Sequence, residues 1–384
     1  MTKHMKKNLL IVANSFNSFG GGERWTLELS RRIGSDFNVS ITNFVSSKDR
    51  RKIDCSVNEA IKKSKSRIVT INCLGVENRQ FGYKYVLRIP DHVGLFRLAN
   101  EIKKADIVYQ ISFNPYILSS VVFFSKVFRK RLIVGGHNPV LSHIFKKNAK
   151  IDGIYIRSIL GLASAFHAVN REDAEMLGKY YSHKKVYFIP NFLYSVHKLD
   201  KFDHRDFTAL FVGRLATWEK GIDLLAKIIS RTAVLDPNIK FVVVGEGREG
   251  QQIIEKLKRK YQNFDWLGFV SDAKLTDIYR NSSLFVLPSR IESFSLVTLE
   301  AQGFGLPIVS FDINGPRDII EKSFQGRLVK PFDTDEFVEA VVDYHRLWKK
   351  NRNTYNNSRK RIKEFIERKY SDKNIIPKIK KMLE

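Results

Sequence analysis

The chain is short of cysteine, of acidic residues and of long apolar runs. Only Cys55 and Cys73 occur in 384 residues. No disulfide framework follows from two cysteines, and a reducing, cytoplasmic setting is the expectation. No stretch approaches the roughly 18–20 consecutive apolar residues that a membrane span needs, so a soluble chain is expected. Lys3, Lys6 and Lys7 precede the apolar run Leu9–Ala13, but polar Asn14 ends that run at once. A buried first strand is expected there, not a secretory leader. Recognition-helix, zinc-finger and RNA-binding patterns are missing, which argues against a nucleic-acid partner.

Basic charge is what the chain has in excess. Lys and Arg number 66 against 40 Asp and Glu, a formal net of +26. Residues 1–195 carry +18 of it (32 basic against 14 acidic), in clusters such as Lys48–Lys52, Lys62–Arg67, Lys103–Lys104, Arg129–Arg131 and Lys146–Lys150. Solvated helix faces account for such runs. Anionic lipid headgroups or a phosphate-bearing acceptor account for them equally, and both readings stand.

Short apolar runs alternate with helix-like segments along the whole chain. Asn8–Ala13, Asn38–Phe44, Arg67–Asn72, Asp106–Ile111, Arg131–Val134, Phe166–Val169 and Val186–Ile189 read as buried strands of one sheet. Ala209–Val212, Lys240–Val244, Phe264–Leu267, Leu284–Leu287, Ile308–Phe311 and Gly326–Val329 repeat the theme. Two doubly wound α/β domains with parallel sheets are the fold this predicts. Their bounds are 1–195 and 196–355, with a helical tail, 356–384, expected to pack back on the first domain. The basic stretch around 46–66 reads as a loop.

Glycine turns follow several of these strands. Gly20-Gly21-Gly22 comes after the first and opens a helix, where backbone N–H groups approach an anion closely. The spacing is not Gly-x-Gly-x-x-Gly, and Asn43 and Phe44 close the second strand where a dinucleotide site needs an acid, so a redox cofactor is disfavoured. Phe211-Val-Gly213-Arg214-Leu…Glu-Lys220-Gly221 sets two cations at a strand end, suited to a diphosphate. Val244-Gly245-Glu-Gly247 lines the same edge. Trp266-Leu-Gly-Phe269-Val270 borders a nucleobase or is plain core. The stretch Leu284–Ile320 is the most informative. Two buried strands deliver a loop carrying Glu292 and a helix carrying Glu300 to one sheet edge, with Ser293–Leu296 opening the helix. Asp333-Thr-Asp335 has the Asp-x-Asp form of a metal site, but it precedes a helical run, where an N-cap Asp is ordinary. No metal is expected.

In this order and spacing the motifs resemble the retaining glycosyltransferases of family 4, over about Leu9–Phe332. The resemblance implies the GT-B fold, two Rossmann-like domains facing across a cleft, the first for an acceptor and the second for a nucleotide-sugar donor. It implies that Arg214 and Lys220 grip the donor diphosphate, that Glu292 meets the donor sugar and that Glu300 binds the ribose. Backbone amides at Ser295 and Leu296 would touch phosphate, and Gly21, Gly22, Gly213, Gly245 and Phe269 would line the site. Ser293 and Ser295 stand where the family often has Gly. His137, after the strand Arg131–Val134, resembles the family's active-site histidine. The implied activity is sugar transfer with retention, a UDP-sugar being the commonest donor, onto a glycan or lipid-linked saccharide in bacterial surface-polysaccharide or glycoconjugate assembly. No cofactor beyond the donor is implied. The basic first domain would suit a peripheral position on an anionic inner membrane face. A nucleotide-sugar epimerase of the same fold and a non-catalytic partner subunit are the alternatives.

Overall fold

A computed structural model of the chain describes residues 6–16, 20–46, 55–80, 83–111, 114–137, 145, 151–194 and 206–384. Two compact units emerge: Met1–Asn191 with Ile375–Glu384, and Phe192–Asn374.

The first unit holds eight strands: β1 (Lys7–Val12), β2 (Phe37–Ser46), β3 (Arg67–Gln80), β4 (Tyr83–Pro90), β5 (Ile107–Gln110), β6 (Arg131–Gly136), β7 (Ala165–Ala168) and β8 (Lys185–Phe188). They lie in the order β4-β3-β2-β1-β5-β6-β7-β8. Most neighbours are parallel, as where Leu9 faces Val39 on one side and Ile107 on the other. Leu9–Val12 are all buried, as a strand covered by helices on both faces must be. Leu10, Val12, Phe44, Val108, Leu132 and Phe166 form the core on one face.

Two features depart from the sequence expectation. The sheet is not purely parallel, since β4 runs antiparallel to β3. Lys84, Arg88 and Pro90 obscure that strand in the sequence. An edge strand tolerates charge and proline because only one side is paired. Within the stretch taken as a loop lies a helix, Cys55–Ser64, supported by the Glu59–Lys63 pair at i, i+4.

The second unit holds β9 (Thr208–Val212), β10 (Lys240–Val244), β11 (Phe264–Trp266), β12 (Leu284–Leu287), β13 (Ile308–Phe311) and β14 (Gly326–Val329). The order is β11-β10-β9-β12-β13-β14, parallel throughout. From β9 the chain winds outward one way to β10 and β11, then returns beside β9 with β12 and winds the other way. A crevice opens at such a reversal, outside the C-terminal ends of the strands. The loops after β9 and β12 are therefore the ones that flank it.

The C-terminal residues divide between the units. Helix Arg352–Tyr370 packs in the second, where Tyr355 donates to the Ser283 carbonyl at 2.8 Å and buried Arg359 to that of Phe304 at 3.3 Å. In helix Asp372–Leu383, Ile375, Ile379 and Met382 are buried. Arg131 donates to the Met382 carbonyl at 2.9 Å, and Lys380 pairs with Asp36 at 2.7 Å. Among the described residues no helix is long and apolar enough to cross a membrane.

Candidate active site

In the second unit the loops after β9 and β12 are tied together. Helix Thr217–Lys220 ends at Gly221, whose φ of +64° is left-handed. A Cβ there would stand 2.1 Å from the Pro288 carbonyl oxygen, so only glycine lets the two loops approach this closely. The Arg290 amide donates to the Glu219 carbonyl at 2.8 Å. Its guanidinium clasps Asp223 with two bonds, 2.7 and 2.6 Å, and reaches the Thr217 carbonyl at 2.6 Å. Burial alone would raise the Asp223 pKa. The hydrogen bonds and charge of Arg290 outweigh it and hold that carboxyl below its usual value.

This clamp sets Lys220 against Glu292. Lys220 Nζ donates to Glu292 Oε1 at 2.7 Å, and Ser289 Oγ donates to the same oxygen at 2.9 Å. The carboxylate is 8% exposed and the ammonium 19%. Glu292 uses one of the three ammonium protons, which leaves the group chemically able to hold an anion as well. Arg214 is different. It is 71% exposed and pairs with Glu219.

The remaining residues named from the sequence in this unit lie in the segments that follow its strands. Glu300 lies in helix Leu296–Gly303, where the Tyr279 hydroxyl donates to it at 3.4 Å. The Ser295 amide precedes that helix, and Ser295 itself is left-handed (φ 69°), with its hydroxyl 2.8 Å from that of Thr298. Gly213 follows β9 and donates to the Val244 carbonyl. Gly245 follows β10 with φ +128°, where a Cβ would strike the Gly213 carbonyl. The Trp266 indole donates to the Gly245 carbonyl at 2.9 Å, while Phe269 stands exposed beyond it. Asp333 caps its helix, accepting from the amides of Asp335 and Glu336, and Asp335 pairs with Arg231. Among the described residues no three His, Cys, Asp or Glu side chains gather to hold a metal.

In the first unit, helix Gly21–Ile33 begins at the C-terminal edge of β1, and the Gly20 amide donates to Glu23 at 3.0 Å. At Gly22 a Cβ would meet nothing within 4 Å, so packing in the chain does not demand glycine there. Asn17–Phe19 lie outside the described residues, as do Asn138 and Pro139. His137 follows β6 and is partly exposed. Its ring is tilted 42° to that of Trp25 with centroids 4.2 Å apart, and its Nε2 lies 2.9 Å from the Tyr109 hydroxyl. Burial, and then the neighbouring His167, hold its pKa well below the ordinary histidine value.

Reasoning from the sequence missed the Arg290–Asp223 clamp, Ser289, Tyr109 and His167. The first two sit in or beside the motifs already singled out. His167 had a signal, being a titratable residue in the middle of the apolar strand β7.

The whole-chain fold matches the solved structure of a TarM mutant from S. aureus in complex with Fondaparinux, alpha-GlcNAc-glycerol and UDP. The TM-score is 0.74 at 14% identity, over 98% of this chain and 99% of that one. The architecture is GT-B, two Rossmann-like domains. Residues 197–361 match the family described as glycosyl transferases group 1. The amylovoran biosynthesis glycosyltransferase AmsD of Erwinia amylovora is 31% identical over 169 residues, 42% of this chain and 47% of that protein. The UDP-Gal:alpha-D-GlcNAc-diphosphoundecaprenol alpha-1,3-galactosyltransferase of Escherichia coli is 31% identical over 199 residues, 45% of this chain and 49% of that protein. The chain thus spans about half the length of the curated relatives it matches.

Proposed function

We propose that the chain is a retaining glycosyltransferase that moves a sugar from a UDP-sugar to a glycan or lipid-linked saccharide in bacterial surface-polysaccharide assembly. One observation carries it: Lys220 and Glu292 are joined at 2.7 Å by the two loops that flank the strand reversal. In this reading Lys220 and Arg214 take the diphosphate and stabilise its growing charge as it leaves. Glu292 meets the hydroxyls of the transferred sugar and Glu300 the ribose, while the amides at Ser295 and Leu296 touch phosphate. Gly213 and Gly245 admit the nucleotide closely, with Phe269 near the base. The two cations supply the charge, so we place neither metal nor further cofactor in the reaction. UDP in the TarM complex and in the name of the E. coli relative supports the choice of donor. The latter's diphosphoundecaprenol-linked acceptor supports a lipid-linked one, for which the basic first unit at an anionic membrane face would be suited.

A thermal-shift screen against UDP-, GDP- and ADP-sugars tests the proposal. A donor that binds only the folded chain raises its melting temperature, and one UDP-sugar is expected to do so. The shift should vanish in Lys220→Ala. No response to any of them would overturn the reading, and a product of inverted anomeric configuration would overturn retention.

A further inference from the structure

Helices His92–Lys104, Pro115–Val127 and Ile151–Leu160 lie side by side over the core of the first unit. The middle one carries a single charge, Lys126. It buries Ile117, Leu118, Val121 and Val122. At about 3.6 residues per turn its opposite face presents Tyr116, Ser120, Phe123 and Val127, and Phe123 is 62% exposed. On one side of it, Ile154 and Tyr155 are exposed while Leu160 is buried. On the other, Phe96 is 71% exposed, opposite buried Leu98 and Ile102. The Tyr155 hydroxyl donates to Ser119 Oγ at 3.1 Å, and the Asn114 side chain accepts from the Tyr116 and Ile117 amides, so the face is preformed. The outer face of a helix in water is ordinarily polar, and a contiguous apolar one marks a contact. Cations border this face. By the same spacing Lys126 and Arg157 fall on the flanks of their helices, and Arg129 and Lys130 follow the middle one. From Ile107 to Asn170 the sequence has eight Lys and Arg against one acid, Asp152.

We propose that this three-helix face seats in the surface layer of a bilayer containing anionic lipid. Phe96, Phe123, Val127 and Ile154 enter the apolar layer, and Lys126, Arg129, Lys130 and Arg157 meet lipid phosphate. A helix of this length does not span a membrane, so it lies in the plane of the surface. A second copy of the chain fits less well, because a two-fold contact sets the basic border against itself. An anionic bilayer satisfies both parts, with acyl chains for the centre and phosphates for the border. Tyr116 and Tyr155, apolar rings with a polar tip, suit the boundary between them. The middle helix starts just after β5, which pairs with β6, so Tyr116 and His137 share one sheet edge. A saccharide on a lipid carrier would reach that edge with its tail still in the bilayer. This last step rests on the glycosyl-transfer reading above; the bilayer contact does not.

Co-sedimentation of the full chain, without donor, with vesicles of phosphatidylcholine alone or mixed with phosphatidylglycerol tests the proposal. Binding to the mixed vesicles is expected, and it should weaken as salt rises. No binding to them would overturn the proposal, and equal binding to neutral vesicles would remove the role of the basic border. Phe123→Ser should lower vesicle affinity roughly tenfold at an unchanged melting temperature. Lys126→Gln and Lys130→Gln should each lower it roughly fivefold. Leu235→Ser, at an exposed site in the second unit, should leave it unchanged. If Phe123→Ser binds as tightly as the wild type, or Leu235→Ser loses as much, this face does not enter the bilayer. In Phe123→Trp, brominated acyl chains should quench the new indole, and an unquenched signal would count against insertion in the same way. A dimer in ultracentrifugation that Phe123→Ser dissolves would assign the face to a second copy instead. A wild type that binds vesicles but responds to no nucleotide sugar removes the glycosyl-transfer reading and leaves the bilayer contact standing. One that responds to a donor but ignores vesicles does the reverse.

Discussion

Lys220 and Glu292 form a pair whose value depends on a ligand. A partly buried ion pair returns little net stability, because desolvation offsets much of the attraction between its members. Its geometry is better explained by what it presents: a fixed carboxylate beside a cation with protons to spare. Glu292→Gln keeps the shape and removes the charge. On the proposed role, transfer should fall on the order of a hundredfold while the circular dichroism spectrum and melting temperature change little. Full activity in that variant would remove Glu292 from the reaction. Both residues were legible in the sequence because each follows a glycine- or proline-marked strand end. Tyr109 and His167 were not. Tyr109 reads as one more residue of an apolar strand, and although His167 stands out in its strand, only the pairing of β5 with β6 and of β6 with β7 aligns the two with His137.

Among the elements, the loop after β12 is held by the helix after β9, and glycine is the hinge pin. Gly221→Ala would force a left-handed alanine and drive its Cβ into the Pro288 carbonyl. A loss of ~3 kcal/mol is expected, from backbone strain plus the displaced loop. Calorimetry should show a lower melting temperature and weaker donor binding together. An unchanged melting temperature would mean that the two loops do not meet there. The strand order around this hinge could be anticipated, since six apolar runs separated by helices leave few right-handed arrangements. β4 could not. Its pairing partner is decided across the sheet edge, and its charges hide it from any pattern of continuous apolar residues.

At the scale of the molecule, much of the basic surplus has a local explanation. Arg31 and Arg32, Lys62 and Lys63, Lys103 and Lys104, Lys258–Lys260, Lys349 and Lys350, and Lys380 and Lys381 all occupy last turns of helices. There a cation interacts favourably with the unpaired carbonyls.

Stability should also depend on acid. The His167 pKa falls from 6.5 to about 4 on folding, within a shell that includes Trp25, Tyr109 and His137. The unfolded chain takes up its proton first, so stability declines as pH drops below 6.5 and the loss is complete below about 4. For this group it amounts to about 3 kcal/mol, and His137, lowered likewise, adds to it. Urea unfolding between pH 7.5 and 5 should show the decline, and His167→Gln should lessen it. The first unit, finally, recruits Ile375–Glu384 from beyond the whole of Phe192–Asn374. On the ribosome it must wait for that stretch to be made, on the order of ten seconds or more at typical rates of synthesis. Through that interval the nascent domain exposes the apolar seat of its last helix, and the second domain has time to fold first.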